Sequence, residues 1–209
     1  FSYMPVPAAD LRGSGAALSI VREANAANLT LYTSCAGLLV FGEAGILAGR
    51  TVVDLGCGTG LLEAHLLPRI GDGQIVAVDF SAEMLALARS RHPSDRIRWL
   101  CRDVLHTGLP DAAADTVVCF NSFPHFRQST ALAREAARWL RPEGTMLVWH
   151  DIGREQLARI HGDGPPVIRA DLLPPVGELA TLFRAAGFVV ERAEEDEDSY
   201  LLLARHPAP

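Results

Sequence analysis

His125 and His150 are the residues best suited to acid–base chemistry in this sequence. Each follows or ends a β-prone run, Asp115–Asn121 and Thr145–His150. An imidazole titrates near neutral pH, so it can take a proton from a hydroxyl, a phenol or an acidic carbon. Asp151 would orient the His150 ring, unless it points to the opposite face and contacts the adjoining loop. We predict that His150, ahead of His125, acts as the base; the alternative is that both are hydrogen-bonded residues of the pocket wall.

The same histidines raise a metal-site hypothesis. His161 would supply a third imidazole, and Asp151 or Asp163 a fourth ligand, and these are ligand types that zinc and related metals accept. Their spacing matches no compact metal-binding motif. We therefore predict catalysis without a bound metal.

A glycine-rich turn directly follows the run Thr51–Leu55. Gly56, Gly58 and Gly60 occupy every second position, and residues without a Cβ let a backbone turn sharply and approach a ligand closely. The spacing G-x-G-x-G is one residue short of the dinucleotide fingerprint, and no Lys-Ser/Thr pair follows it. The pattern indicates a nucleotide-binding turn for which a pyrophosphate is not the obvious ligand.

Asp79 is a second feature that indicates a nucleotide-binding site. It ends a second β-rich run, Gln74–Asp79, 25 residues after Asp54. A dinucleotide-type fold places at this distance the carboxylate that accepts hydrogen bonds from ribose hydroxyls. A third short run closes on Asp103.

The string DLGCGTG at residues 54–60, followed by VDFSAEML at 78–85, resembles motifs I and II of the class I S-adenosylmethionine-dependent methyltransferases. The runs 98–104 and 115–121 follow at the distances that this family shows. The turn Pro142-Glu143-Gly144 and the run after it resemble the family's LKPGG turn and fifth strand. The resemblance covers about residues 49–205. It implies S-adenosylmethionine as the cofactor and S-adenosylhomocysteine as its product.

The resemblance also implies where the cofactor lies. Its methionine part would contact the glycine turn, its ribose Asp79, and its adenine the segment around Asp103, while the strand that ends at Asn121 would face the sulfonium. The implied cofactor-binding residues are Asp54, Gly56, Cys57, Gly58, Gly60, Asp79, Phe80, Met84, Asp103, Val104 and Asn121.

The segment Asn121–Phe126 narrows the class of acceptor. Family members that modify nucleobases carry Asn/Asp-Pro-Pro-aromatic here, whereas this chain has proline at only one of the two positions and no aromatic residue directly after it. The net charge of −6 and the absence of a basic cluster also argue against nucleic acid as a partner. We predict a small-molecule acceptor.

The elements that must position these residues alternate as strand, turn and helix. This order predicts an α/β fold: a Rossmann-like seven-stranded sheet, mostly parallel with an antiparallel C-terminal hairpin strand, helices on both faces, and an N-terminal helical extension. Residues 1–48 would form an N-terminal arm and helical cap, and residues 49–209 the S-adenosylmethionine-binding methyltransferase domain, within one compact domain. Predicted helices include residues 61–67, which open on the glycine turn, and 82–88, capped by Ser81; the acidic run 194–198 would be a solvated hairpin tip.

The sequence therefore predicts an S-adenosylmethionine-dependent methyltransferase that acts by in-line methyl transfer. Three alternatives stay open: an enzyme of this fold with non-methylating chemistry, such as a cyclase or isomerase; a non-catalytic cofactor-binding partner subunit; and a methyltransferase whose substrate is held by a metal. Four cysteines without C-x-x-C spacing, and no apolar stretch long enough to span a bilayer, favour a cytoplasmic protein that does not enter the membrane. The oligomeric state is open, a homodimer included.

Overall fold

The structure, a computed structural model, describes residues 40–208. Its strands form one sheet with the spatial order β3-β2-β1-β4-β5-β7-β6. The strands are β1 (Thr51–Leu55), β2 (Gln74–Asp79), β3 (Ile97–Cys101), β4 (Ala114–Phe120), β5 (Leu140–His150), β6 (Val189–Glu195) and β7 (Tyr200–Arg205). The helices named below are α1 (Glu63–Leu66), α2 (Ala82–Arg91), α3 (Ser129–Trp139), α4 (Arg154–Asp163) and α5 (Val176–Ala185).

Strand directions confirm the predicted fold class. Strands β1 to β5 pair in parallel, whereas β7 lies antiparallel between β5 and β6. The predicted arm and cap fall almost entirely on residues 1–39, which lie outside the described residues, and residues 40–43 are helical. The boundary between residues 48 and 49 stays a prediction.

Both faces of the sheet are buried, because the central strands are apolar at successive positions. Val117 and Val118 are fully buried and point to opposite faces. One face packs against α3 and α5, with Trp139 and Phe183 in its core. The other face packs against Phe41, α1 and α2. Within the described residues, no helix is long and apolar enough to cross a membrane.

The helix predicted for residues 61–67 is wrong in extent and is reduced to α1, because the glycine turn continues through Leu62. The turn predicted at residues 142–144 is present as a bulge within β5, since residues 141–144 lie between the pairs Ala114–Leu140 and Thr116–Thr145. At this bulge the Glu143 N–H donates to the carbonyl of His206, and the His206 N–H donates to the carbonyl of Gly144. These two bonds continue the pairing of β5 with the chain after β7, although Glu143 has a positive φ.

The acidic run lies only partly at the hairpin tip. Glu194 and Glu195 are the last residues of β6. Asp196 forms the turn, and its Oδ1 accepts hydrogen bonds from the backbone N–H groups of Asp198 and Ser199. The tip is therefore ordered by its own acid as well as solvated.

The glycine turn after β1 is tied to β2 by backbone hydrogen bonds. The N–H groups of Gly56 and Cys57 both donate to the carbonyl of Val78, at 2.8 and 3.1 Å. Gly56 and Gly58 have φ of +74° and +56°, in the left-handed region that favours glycine. A Cβ at Gly56 would lie 2.6 Å from the Ser122 Cβ, whereas a Cβ at Gly58 would meet no atom within 4 Å. The first glycine is needed for packing, and the second borders open space.

The pair Gly56→Ala and Gly58→Ala tests this difference. Gly58→Ala should cost about 1–2 kcal/mol of unfolding free energy, from the strain of a left-handed alanine. Gly56→Ala carries the same strain plus a clash in a packed core and should cost about 2–5 kcal/mol. Urea denaturation of the two variants measures the difference, and equal losses would contradict the packing role assigned to Gly56.

His150, the last residue of β5, is completely buried. It pairs in register with Tyr200 of β7, and the two rings meet edge to face with centroids 5.9 Å apart. Neither ring nitrogen has a hydrogen-bond partner among the described residues. Burial, together with the imidazoles of His125 and His161, lowers the pKa of His150 to about 3. The folded protein therefore holds this ring neutral.

This burial predicts a pH-dependent stability. The unfolded chain protonates His150 near pH 6.5, but the folded chain resists protonation down to about pH 3, so acid favours unfolding within this window. Well below the pKa of the unfolded chain, the contribution of His150 to the unfolding free energy should fall by up to ~1.4 kcal/mol for each unit by which the pH falls. In denaturation series from about pH 7.5 to about pH 5, His150→Phe should remove this part of the slope. His106→Gln, at a ring with 82% of its side chain exposed, is the control; parallel curves for wild type and His150→Phe would refute the assignment.

Candidate active site

Asp79 connects the two sides of the glycine turn region. Its Oδ2 accepts a hydrogen bond from the Gly58 N–H at 2.9 Å, and its Oδ1 accepts one from the Ser81 N–H at 2.8 Å. The residue is only 7% exposed. Burial raises the pKa of Asp79, while the N–H groups of Ser81 and Gly58 act in the opposite direction. The carboxylate thus fixes the turn against the start of α2.

The predicted adenine-side residues follow Asp79 directly. Phe80 is 43% exposed, and Met84 is partly buried in the first turn of α2. The predicted N-cap is confirmed, because the Ser81 Oγ accepts a hydrogen bond from the Met84 N–H at 3.2 Å. An exposed aromatic ring beside a capped helix start offers a flat apolar surface to a ligand.

Asp103 and Val104 lie on the neighbouring connection, after β3. The Asp103 Oδ1 accepts from the Leu105 N–H at 2.8 Å and so begins the short 3-10 helix Val104–His106. The backbone N–H of Arg102 donates to the carbonyl of Asp79 at 3.0 Å. This bond holds the segment after β3, which contains Asp103, against the end of β2 at Asp79.

The acids and the thiol at the base of the turn are buried. Asp54, in β1, is 1% exposed, Cys57 is 7% exposed, and Glu63 of α1 is completely buried. Glu63 was not among the predicted site residues. Its neighbours Leu62 and Ala64 are apolar, and nothing in the spacing of this predicted helix marks the acid as part of the site.

Asn121 and Asp151 join the ends of β4 and β5. The Asn121 Nδ2 donates to the Asp151 Oδ1 at 2.7 Å, and the Asp151 N–H donates to the Asn121 Oδ1 at 3.3 Å. Asn121 has a φ of +50°, a conformation that asparagine tolerates better than most residues. Asp151 therefore does not orient His150, as the sequence had suggested; it holds the neighbouring strand end instead.

The structure pairs His125 with an acid that sequence analysis missed. His125 Nδ1 and Asp171 Oδ2 lie 3.0 Å apart. The Asp171 side chain is 3% exposed and the His125 side chain 32%. His161 hydrogen-bonds the carbonyl of Asp171 through Nδ1, and its ring stacks on His125 with centroids 5.3 Å apart. Arg127 Nη2 lies 3.8 Å from Asp171 Oδ1.

Asp171 lies 46 residues after His125, which explains why spacing did not reveal it. The available signal was an isolated acid between Ala170 and the apolar pair Leu172-Leu173. Such an acid, once buried, needs a hydrogen-bond partner. The predicted histidines His125, His150 and His161 do converge, since His125 and His161 both act electrostatically on His150.

The histidine cluster adjoins the cofactor side of the site. The residues on either side of the short 3-10 helix Phe123–His125 pack on the glycine turn, because a Cβ on Gly56 would lie 2.6 Å from the Ser122 Cβ and 3.2 Å from the Phe126 ring. Within residues 40–208, no three His, Cys, Asp or Glu side chains are arranged to hold a metal ion. The edge of the sheet therefore combines a nucleotide-type turn with a partly exposed histidine–carboxylate pair.

The chain is similar to known methyltransferases. Residues 52–144 match a family described as "Methyltransferase domain". An uncharacterised methyltransferase of Mycobacterium tuberculosis is 35% identical over 102 residues, which cover 49% of this chain and 51% of that protein. A ubiquinone biosynthesis O-methyltransferase of Xanthomonas euvesicatoria is 30% identical over 162 residues, covering 69% of this chain and 65% of that protein. The chain thus spans about half the length of the mycobacterial relative that it matches.

Similarity to solved structures extends to the fold. A SAM-dependent methyltransferase from Aquifex aeolicus superimposes with a TM-score of 0.66 at 22% identity, covering 79% of this chain and 87% of that one. The glycine turn, the acid at the end of β2 and the sheet order agree with these sequence matches. The sequence matches and the shared fold support the assignment of the chain to the class I S-adenosylmethionine-dependent methyltransferases.

Proposed function

We propose that the protein transfers a methyl group from S-adenosylmethionine to a hydroxyl oxygen of a small organic acceptor, with His125 as the general base. The observation that carries this proposal is the His125–Asp171 pair beside the cofactor side of the site. The Xanthomonas relative is named as an O-methyltransferase, which supports oxygen as the methylated atom. The acidic net charge supports a small acceptor rather than nucleic acid.

The residues of the turn region fit the cofactor. The open space beside Gly58 leaves room for a ligand against the backbone. The Asp79 carboxylate has lone pairs left for ribose hydroxyls after accepting its two backbone bonds. When bound, S-adenosylmethionine supplies an electrophilic methyl group on a sulfonium, so aligning the acceptor oxygen is most of the catalytic task.

His125 suits the role of base better than His150 does. A base must reach the acceptor proton, and the His150 ring is completely buried whereas about a third of the His125 side chain is exposed. With Nδ1–H donating to Asp171, Nε2 of His125 is left as the proton acceptor. The buried Asp171 carboxylate then stabilises the imidazolium that forms, as the acid does in a catalytic triad.

His125→Gln should lower turnover of a hydroxyl acceptor by about 10²- to 10⁴-fold, since it removes the base. Asp171→Asn should lower it less, because the His125 ring keeps its place but loses the carboxylate that accepts from Nδ1–H. His206→Gln, at a residue after β7 that bonds Glu143 and Gly144 outside the candidate site, is the matched control. Formation of S-adenosylhomocysteine, measured with a panel of phenols, hydroxy acids and amines, provides the assay.

Three results would count against this function. Undiminished turnover of a hydroxyl acceptor in His125→Gln would remove the base. Methylation of amines alone would overturn the choice of oxygen. Cofactor binding without any S-adenosylhomocysteine would favour non-methylating chemistry or a partner subunit, because the fold itself does not decide the reaction.

Asp79→Asn should weaken cofactor binding by about 1–3 kcal/mol through lost hydrogen bonds to the ribose. Calorimetric titration with S-adenosylmethionine and S-adenosylhomocysteine, beside NAD as a control ligand, measures this loss. Asp95→Asn, at an exposed residue before β3, is a control for the removed charge. Full affinity in Asp79→Asn would show that the cofactor does not use this carboxylate.

A further inference from the structure

Asp54 and Glu63 place two carboxyl groups together beneath the glycine turn. Asp54 is next to last in β1 and Glu63 is the first residue of α1, so the turn itself connects them. Their exposed fractions are 1% and 0%. The two side chains are within hydrogen-bonding reach of each other.

The pair has no counterion within the chain that the structure describes. No N–H or O–H group of another described residue donates to either oxygen of Glu63 or to Oδ1 of Asp54, and all three atoms are buried. None of the ion pairs found in residues 40–208 includes either acid. Two buried, adjacent carboxylates cannot both ionise cheaply, and one proton held between them removes the repulsion.

The surrounding groups do not neutralise the pair. Asp79 of β2 is a third acid; burial raises its pKa, and its two backbone hydrogen bonds oppose that rise. Burial raises the pKa of the thiols of Cys57 in the turn and Cys119 in β4, so both stay neutral. His125 also opposes the rise in the pKa of Asp79. Acidic side chains are therefore in excess beneath the glycine turn, and the pair of Asp54 and Glu63 can hold a proton.

We propose that Asp54 and Glu63 hold one shared proton in the unliganded protein and release it when the cationic cofactor occupies the glycine turn. This inference rests on the proposed cofactor. S-adenosylmethionine carries a sulfonium and an ammonium against one carboxylate, and a nearby positive charge favours the ionised form of both acids. Because binding releases a proton, affinity rises with pH through the titration of the pair, by at most about tenfold per pH unit.

Calorimetry with S-adenosylmethionine in buffers of different ionisation enthalpy measures the protons released. Wild type should release up to about one proton per site near pH 7. Glu63→Gln keeps the shape of the side chain but cannot ionise, and should release less than half as much as wild type. Glu197→Gln, at an exposed acid of the β6–β7 hairpin, removes the same charge elsewhere and should behave as wild type. Subtracting the proton release of Glu63→Gln from that of wild type cancels the protons that the cofactor's own amine exchanges.

No proton release by wild type, or equal release by wild type and Glu63→Gln, would overturn the proposal. If Glu63→Gln does not fold, infrared difference spectra of wild type decide: the band of a protonated carboxyl must be present before S-adenosylmethionine is added and weaken afterwards. An unchanged or absent band refutes the shared proton. Failure of wild type to bind S-adenosylmethionine at all would overturn the proposed function, and the unliganded infrared band would still test the pair.

Discussion

The two backbone N–H groups that donate to the Asp79 carboxylate hold the candidate site in shape. One belongs to the glycine turn and the other to the start of α2. The carbonyl of the same residue accepts the Arg102 N–H and so anchors the segment after β3. Three connections that are distant in sequence thus meet on one residue. The local backbone can be irregular there because these bonds and the parallel strands beneath it fix its position.

The histidines differ in burial. His150 lies within the sheet against Tyr200, while His125 stands on a short 3-10 helix with part of its ring exposed. Asp171 contacts both the partly exposed His125 and the buried His161, the first through its carboxylate and the second through its carbonyl. Position at a strand end is therefore insufficient to identify a base. A base also needs access to the cleft and a hydrogen-bond partner for its second ring nitrogen.

The sequence predicted the parts of the structure that depend on neighbouring residues. The strand before Gly56, the acid closing β2 and the cap at Ser81 follow from local propensity and spacing. The partner of His125 could not be found in this way, because Asp171 reaches it through tertiary folding alone. The same limit applies to Glu63: hydrophobic neighbours along the chain do not show that a charged residue lies under a turn.

The position of β7 has a consequence for how the chain folds. This strand lies between β5 and β6 although it follows both in sequence. During ribosomal synthesis, the outer edge of β5 therefore stays unpaired until residues 200–205 emerge, and an unpaired edge is a template for misassembly. His150 meets Tyr200 only at that stage. The strand that covers this edge therefore also brings Tyr200 against His150, beside the candidate site.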